Sequence, residues 1–165
     1  MLKLDRVVIP LRVLLVLLFT GLVLGQVFSI PGEFLSEEGG PGNAPPLAWV
    51  LTVFSILEVL AVQIVIVCTW RLLTLIRADR IFSRESFGWV DAIVWTLSAA
   101  WVLMAGVFGT LVLIIYFTPE LRDPGIPVLL FGMTLIGAVV VLVVIVMRAL
   151  LRQAAELRSE IEAVI

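Results

Sequence analysis

The sequence predicts an all-α integral membrane protein: a four-helix bundle with both termini in the cytoplasm and helix four extended into an amphipathic cytoplasmic tail. Two observations lead to this fold class. Apolar residues make up 62% of the chain and charged residues 15%, whereas a soluble domain is about half apolar and about a quarter charged. The apolar residues also gather into four continuous runs, each long enough as a helix to cross a hydrocarbon core of about 30 Å.

The boundaries of the helices follow from the limits of these runs and from the residues that flank them. Because the runs are continuous rather than alternating in polarity, they predict helices and not the strands of a barrel. Pro10 fits the first turn of helix one, where its missing N–H costs nothing, and Ser83 is a suitable N-cap for helix three. Residues 1–165 are thus predicted to form a single transmembrane domain with helices at about 11–30, 47–73, 84–117 and 128–147, the last continuing to about 163.

The basic residues predict the orientation of the helices. Ten of the eleven lysine and arginine residues flank one side of the predicted membrane domain, and Arg122 alone falls on the other. Short loops rich in lysine and arginine stay in the cytoplasm. The arginine-rich loop at 71–88 is therefore predicted to be cytoplasmic and the Gly/Pro-rich loop at 31–46 extracytoplasmic, in a multi-pass protein of the bacterial cytoplasmic membrane.

The composition argues against several kinds of site. Cys68 is the only cysteine and histidine is absent, so no metal or haem centre of cysteine and histidine ligands is expected within one chain. The sequence contains no Ser/His/Asp set and no phosphate-binding loop, which predicts a protein that is not an enzyme and has no cofactor. The inner arginines are expected to attract anionic lipid headgroups of the bilayer. No direct contact with nucleic acid is expected, because acidic residues are interspersed among them.

Glu58 is the most unusual residue of the apolar runs, because it lies near the middle of helix two. An ionised carboxylate at that depth is unfavourable unless it is paired or hydrated, so the neutral form is expected. Three interpretations stay open: a proton- or cation-coupled site, a hydrogen-bond donor to a partner helix, or a neutral acid that is hydrogen-bonded within the bundle. The last interpretation offers as partners Thr52, Ser55, Gln63, Thr96 and Ser98.

Other polar and small residues in the runs predict contacts between helices. Gln63 and Gln26 are expected to form interhelical hydrogen bonds, and Asp91 an interfacial ion pair with Arg12 or Arg71. The small-residue motifs Gly21-x-x-x-Gly25 and Ala105-x-x-x-Gly109 are typical of close helix approach.

The last segment of the chain has the pattern of an amphipathic helix. Its apolar residues recur at spacings of four and three, and its other face is polar. We expect this stripe to pack against a partner, because the charge pairs within the segment are poorly arranged for helix stability. The stripe consists of Leu150, Ala154, Leu157, Ile161 and Val164. The candidate surface for a partner consists of Arg77, Arg80, Arg84, Arg152, Glu156, Arg158 and Glu160.

Two stretches resemble a known family. They are Arg80-Ile81-Phe82-Ser83-Arg84-Glu85-Ser86, between Arg71 and Ile93, and Met147-Arg148-Ala149-Leu150-Leu151-Arg152-Gln153 with the residues that follow. Both stretches resemble the YoaS-like family of small bacterial membrane proteins. The resemblance implies four helices, an unknown function and, from the gene neighbourhood of family members, a small helix-turn-helix regulator as partner.

Three functional hypotheses follow. The first is a regulatory or sensory membrane protein that binds a cytoplasmic protein through its tail. The second is a small proton-coupled transporter or channel component that uses Glu58 and forms a homo-oligomer. The third is an accessory subunit of a larger membrane complex.

Overall fold

The computed structural model describes residues 2–29, 46–77, 84–118 and 125–164, and all of its regular structure there is helical. The chain divides into two compact units, Met1–Ile81 and Phe82–Ile165. Four helices are long and apolar enough to cross a membrane, over Val8–Phe28, Leu47–Ile76, Ser86–Phe117 and Gly125–Ile161. The predicted all-α class with four such helices is therefore confirmed, and it indicates a multi-pass membrane protein. A single domain over the whole chain stays a prediction.

The first unit is a pair of antiparallel helices. Helix α1 spans Leu2–Leu24 and continues as a π-helical segment, Gly25–Ser29, and helix α2 spans Pro46–Arg77. A π-helical segment widens the turn because each N–H bonds to the carbonyl five residues earlier. This segment carries Gln26, which contacts α2.

Helix α1 begins earlier than the sequence predicts. Pro10 lies inside the helix, eight residues after its start at Leu2, and not in its first turn. The prediction placed the start of the helix at the start of the apolar run. A helix can extend beyond the hydrocarbon core, however, because its backbone hydrogen bonds do not depend on apolar side chains. Membrane helices tolerate an internal proline, although the carbonyl four residues earlier loses its usual donor.

The second unit is also a pair of antiparallel helices. Helix α3 spans Arg84–Phe117 and helix α4 spans Gly125–Val164. With 40 residues, α4 is about 60 Å long, roughly twice the thickness of a hydrocarbon core. Its apolar part ends at Met147, so the segment from Arg148 to Val164 extends about 25 Å further as the same helix. We call this segment the α4 extension.

Helices α3 and α4 approach closely around Trp101. The indole Nε1 donates a 3.0 Å hydrogen bond to the carbonyl of Thr134. A Cβ at Gly137 would lie 2.8 Å from Met104 Cε and 2.9 Å from Trp101 Cδ1. Only glycine leaves room for this contact, and no spacing of small residues in the sequence predicts it.

The predicted glycine motifs do not mark close contacts. A Cβ built at Gly21, Gly25 or Gly109 would meet no atom within 4 Å in the part of the chain that the structure describes. The prediction of close approach at these motifs is wrong there, because the spacing of small residues does not fix which way a helix is rotated.

We expect Gly137→Ala to destabilise the α3–α4 pair, since the added methyl group would overlap the Trp101 ring. Overpacking of this kind typically costs about 1–3 kcal/mol. Thermal unfolding of the purified protein in detergent, followed by circular dichroism, measures the effect. The matched control is Gly132→Ala on the same helix, where a Cβ meets no described atom within 4 Å. Equal melting temperatures for the two variants would contradict the packing described here.

Candidate functional sites

Glu58 lies in α2 and is partly buried. Its Oε1 atom is fully buried and has no hydrogen-bond partner among the residues that the structure describes. Two of the partners that the sequence suggested are engaged elsewhere: Thr52 donates to the carbonyl of Ala48, and Gln63 donates to Gln26. The interpretation of Glu58 as a hydrogen-bonded structural acid therefore finds no support at this oxygen.

The two glutamines of the first unit form a short polar chain between its helices. Gln63 Nε2 donates to Gln26 Oε1 at 2.9 Å, and Gln26 Nε2 donates to the carbonyl of Ile56 at 2.9 Å. Gln63 is 8% exposed, so an amide there needs a partner within the protein. The predicted role of both glutamines in interhelical hydrogen bonding is confirmed.

Arg12 joins α1 to the last turns of α2. Its Nη2 donates to Thr74 Oγ1 at 3.0 Å, and its guanidinium lies 5.5 Å from the centroid of the Trp70 ring. Its Nε atom is buried and lacks a hydrogen-bond partner in the described ranges. This contact was not predicted, although the sequence contains a pattern that indicates it. Trp70 and Thr74 are one helical turn apart on α2, at the end of that helix that lies next to Arg12 in an antiparallel pair.

Asp91 is held by two arginines of α4. Its Oδ1 lies 2.5 Å from Arg148 Nε, and its Oδ2 lies 3.0 Å from Arg152 Nη2. The sequence analysis proposed Arg12 or Arg71 as partner; both belong to the other unit, and that pairing stays a prediction. Arg148 could not be predicted as the partner, because the sequence does not show which face of α4 is turned towards Asp91. We call the three side chains the Asp91 clamp.

The clamp borders a groove at the start of α3. This groove, of about 850 Å³, is lined on α3 by Phe87, Gly88 and Asp91, and on α4 by Arg152, Ala155, Glu156 and Ser159. Two members of the predicted partner surface, Arg152 and Glu156, thus line it. Arg158 and Glu160 are exposed, Arg80 lies outside the described residues, and the side chains of Arg77 and Arg84 are not described.

The apolar stripe of the α4 extension faces away from α3. Leu157 lies nine residues after Arg148, which is about 180° around the helix at about 100° per residue. Leu150, Leu157 and Ile161 are 57%, 61% and 63% exposed. The clamp residue Arg148 is partly buried on the opposite side. The extension therefore presents its apolar stripe outward, uncovered by the described chain.

Asp91→Asn should loosen the α4 extension, because it removes the charge that holds Arg148 and Arg152. Hydrogen bonds to charged groups contribute roughly 1.5–3 kcal/mol, and partial exposure of the clamp favours the lower figure. Hydrogen exchange of the backbone from Arg148 to Glu160 should accelerate severalfold, with no change at α1. Glu160→Gln is the control, since it removes a carboxylate from the same helix outside the clamp. Equal exchange in both variants would show that the clamp does not hold the extension.

The comparisons with known proteins identify a family. The family model described as "Protein of unknown function (DUF2975)" matches residues 36–165. Neither the curated proteins nor the solved structures contain a significant match. The matched region includes α2, α3 and α4, and therefore Glu58, the Asp91 clamp and the α4 extension. The chain belongs to this family of proteins of unknown function, DUF2975.

Proposed function

We propose that this chain is a non-enzymatic regulatory or sensory protein of the bacterial cytoplasmic membrane that binds a cytoplasmic protein through the α4 extension. The observation that carries the proposal is the outward-facing stripe of Leu150, Leu157 and Ile161, each more than half exposed. Lipid would cover such residues within the bilayer, but the extension continues about 25 Å beyond a run that already fills the hydrocarbon core. Ten of the eleven basic residues flank that side, which by the positive-inside rule supports a cytoplasmic position for both chain ends.

The stripe suits a helical partner. Apolar residues spaced alternately by four and three form a seam that packs against another amphipathic helix. The Asp91 clamp supports this role, because it fixes the rotation of α4 so that the seam points away from α3.

The partner class comes from the resemblance to the YoaS-like family, whose members are often encoded beside a small helix-turn-helix regulator. We propose such a regulator as the partner. Holding it at the membrane would keep it from DNA, and a change in the membrane helices would release it.

The seam variant Leu157→Glu should weaken this binding by about tenfold or more, because burial of one leucine contributes about 1.5–3 kcal/mol. A two-hybrid assay in bacteria with the neighbouring regulator, supported by co-purification from membranes, measures it. Gln153→Glu introduces the same charge on the same exposed helix outside the seam and should bind normally. Undiminished binding by Leu157→Glu, with normal expression in the membrane, would exclude the seam as the contact.

A second function, a small proton-coupled transporter or channel component acting as a homo-oligomer, is favoured by one observation. The buried Oε1 of Glu58 has no hydrogen-bond partner among the described residues, and an ionisable side chain at membrane depth is a functional candidate by default.

Glu58→Gln tests this second function, because glutamine keeps the shape of the side chain but cannot exchange a proton. If Glu58 carries protons, the variant should lose proton flux into loaded proteoliposomes, while Glu160→Gln retains it. Equal flux in the wild type, both variants and protein-free vesicles would exclude proton transport. Native purification with mass spectrometry separates both functions from an accessory subunit, which would co-purify with a larger membrane complex.

A further inference from the structure

The first unit contains a groove that takes no part in either proposed function, partner binding by the α4 extension or proton transport at Glu58. It lies between α1 and α2, has a volume of about 240 Å³ and is lined almost entirely by apolar side chains. On α1 these are Leu15, Val16 and Phe19, which lie three, four and seven residues after Arg12 and therefore on the same face of the helix. An apolar cavity of about 150 Å³ is large enough to bind benzene, so this groove has room for a substantial part of a hydrocarbon chain.

One end of the groove borders two arginines. Arg71 lines this end through the aliphatic part of its side chain, since nearly all of the lining is apolar, and the residue is exposed. Trp70 also lines the groove, and its ring receives the guanidinium of Arg12 at 5.5 Å. Two arginines thus stand at the same end, next to the hydroxyl of Thr74.

Both arginines have the chemistry to hold a phosphate. A guanidinium carries five N–H donors and can donate two parallel hydrogen bonds to a phosphate. Arg71 can therefore bind a phosphate in addition to its other contacts. Arg12 Nε is buried and lacks an acceptor in the described part of the chain, so a phosphate would be reached by the terminal N–H groups that do not donate to Thr74. An apolar slot with two guanidinium groups at one end matches a molecule with a hydrocarbon tail and an anionic headgroup.

We propose that the α1–α2 groove binds one anionic phospholipid, with an acyl chain along Leu15, Phe19 and Val67 and its phosphate at Arg71 and Arg12. The occupant is a bilayer lipid rather than a free phosphate, because Val16 and Val67 of the groove are exposed on apolar helices of membrane-spanning length and six of its seven lining residues are uncharged. The site depends only on the first unit and is independent of the proposed function of the α4 extension.

Native mass spectrometry of the full chain, purified from nanodiscs of equal phosphatidylglycerol and phosphatidylcholine, tests the proposal. The wild type should retain phosphatidylglycerol preferentially. Because one arginine near a membrane surface contributes about fivefold in affinity for anionic lipid, Arg71→Gln and Arg12→Gln should each lower the preference by about that factor. Arg158→Gln, which removes the same charge from the other unit, should leave it unchanged.

A second pair of variants tests the groove without changing charge. Val67 lines the groove, so Val67→Phe should fill it and reduce retention of phosphatidylglycerol while both arginines remain. The control is Val50→Phe at a similarly exposed valine of α2, 54% against 47% for Val67, that does not line the groove. Circular dichroism of each variant establishes that it is folded.

Each outcome of these experiments either supports or overturns the proposed lipid site. Loss of retained phosphatidylglycerol in Arg71→Gln and Val67→Phe, but not in their controls, supports the site. No lipid preference in the wild type, or equal behaviour of the groove variants and their controls, overturns it. Displacement of phosphatidylglycerol by millimolar glycerol phosphate would also overturn it, because the acyl chain would then contribute nothing to binding.

Discussion

Two helices that cross a membrane gain little from the hydrophobic effect by packing together, since lipid tails are as apolar as leucine. The second unit overcomes this constraint at two points. Near the middle of the pair, the absence of a side chain at Gly137 lets the Trp101 ring and Met104 reach the α4 backbone. Near the end, Asp91 bonds to Arg148 and Arg152. The steric contact sets the distance between the helices and the ionic contact sets their rotation, and the orientation of the α4 extension depends on both.

The first unit meets the same constraint with hydrogen bonds to neutral acceptors. The chain from Gln63 through Gln26 to the carbonyl of Ile56 joins its helices on one side, and Arg12 with Thr74 joins them towards the other end. The π-helical segment matters here, because its wider turn rotates Gln26 relative to the regular helix before it. Glu58, on the same helix as Gln63, is outside this chain of bonds.

Much of the fold was predictable from the sequence, because length, hydropathy and continuity of the runs are enough to identify four membrane-sized helices. What hydropathy cannot supply is the rotation of each helix about its own axis. For that reason Gly109 and Gly137 look alike in the sequence, although only Gly137 has a neighbour within contact distance in the described chain. Because the rotation of α4 is not known from the sequence, Arg148 could not be predicted as the ion-pair partner of Asp91. Gln26 and Gln63 were assigned correctly because a buried amide has few alternatives in an apolar helix pair.

The continuity of α4 has a mechanical consequence. No glycine or proline follows Gly137 in this helix, so its membrane part and its extension form one stiff rod. Membrane helices change tilt when the bilayer thickens or thins, and a change of about 10° would swing the tip of a 25 Å extension by about 4 Å. In a bilayer that covers only the apolar part of α4, the position of the exposed leucines would therefore follow changes in bilayer thickness.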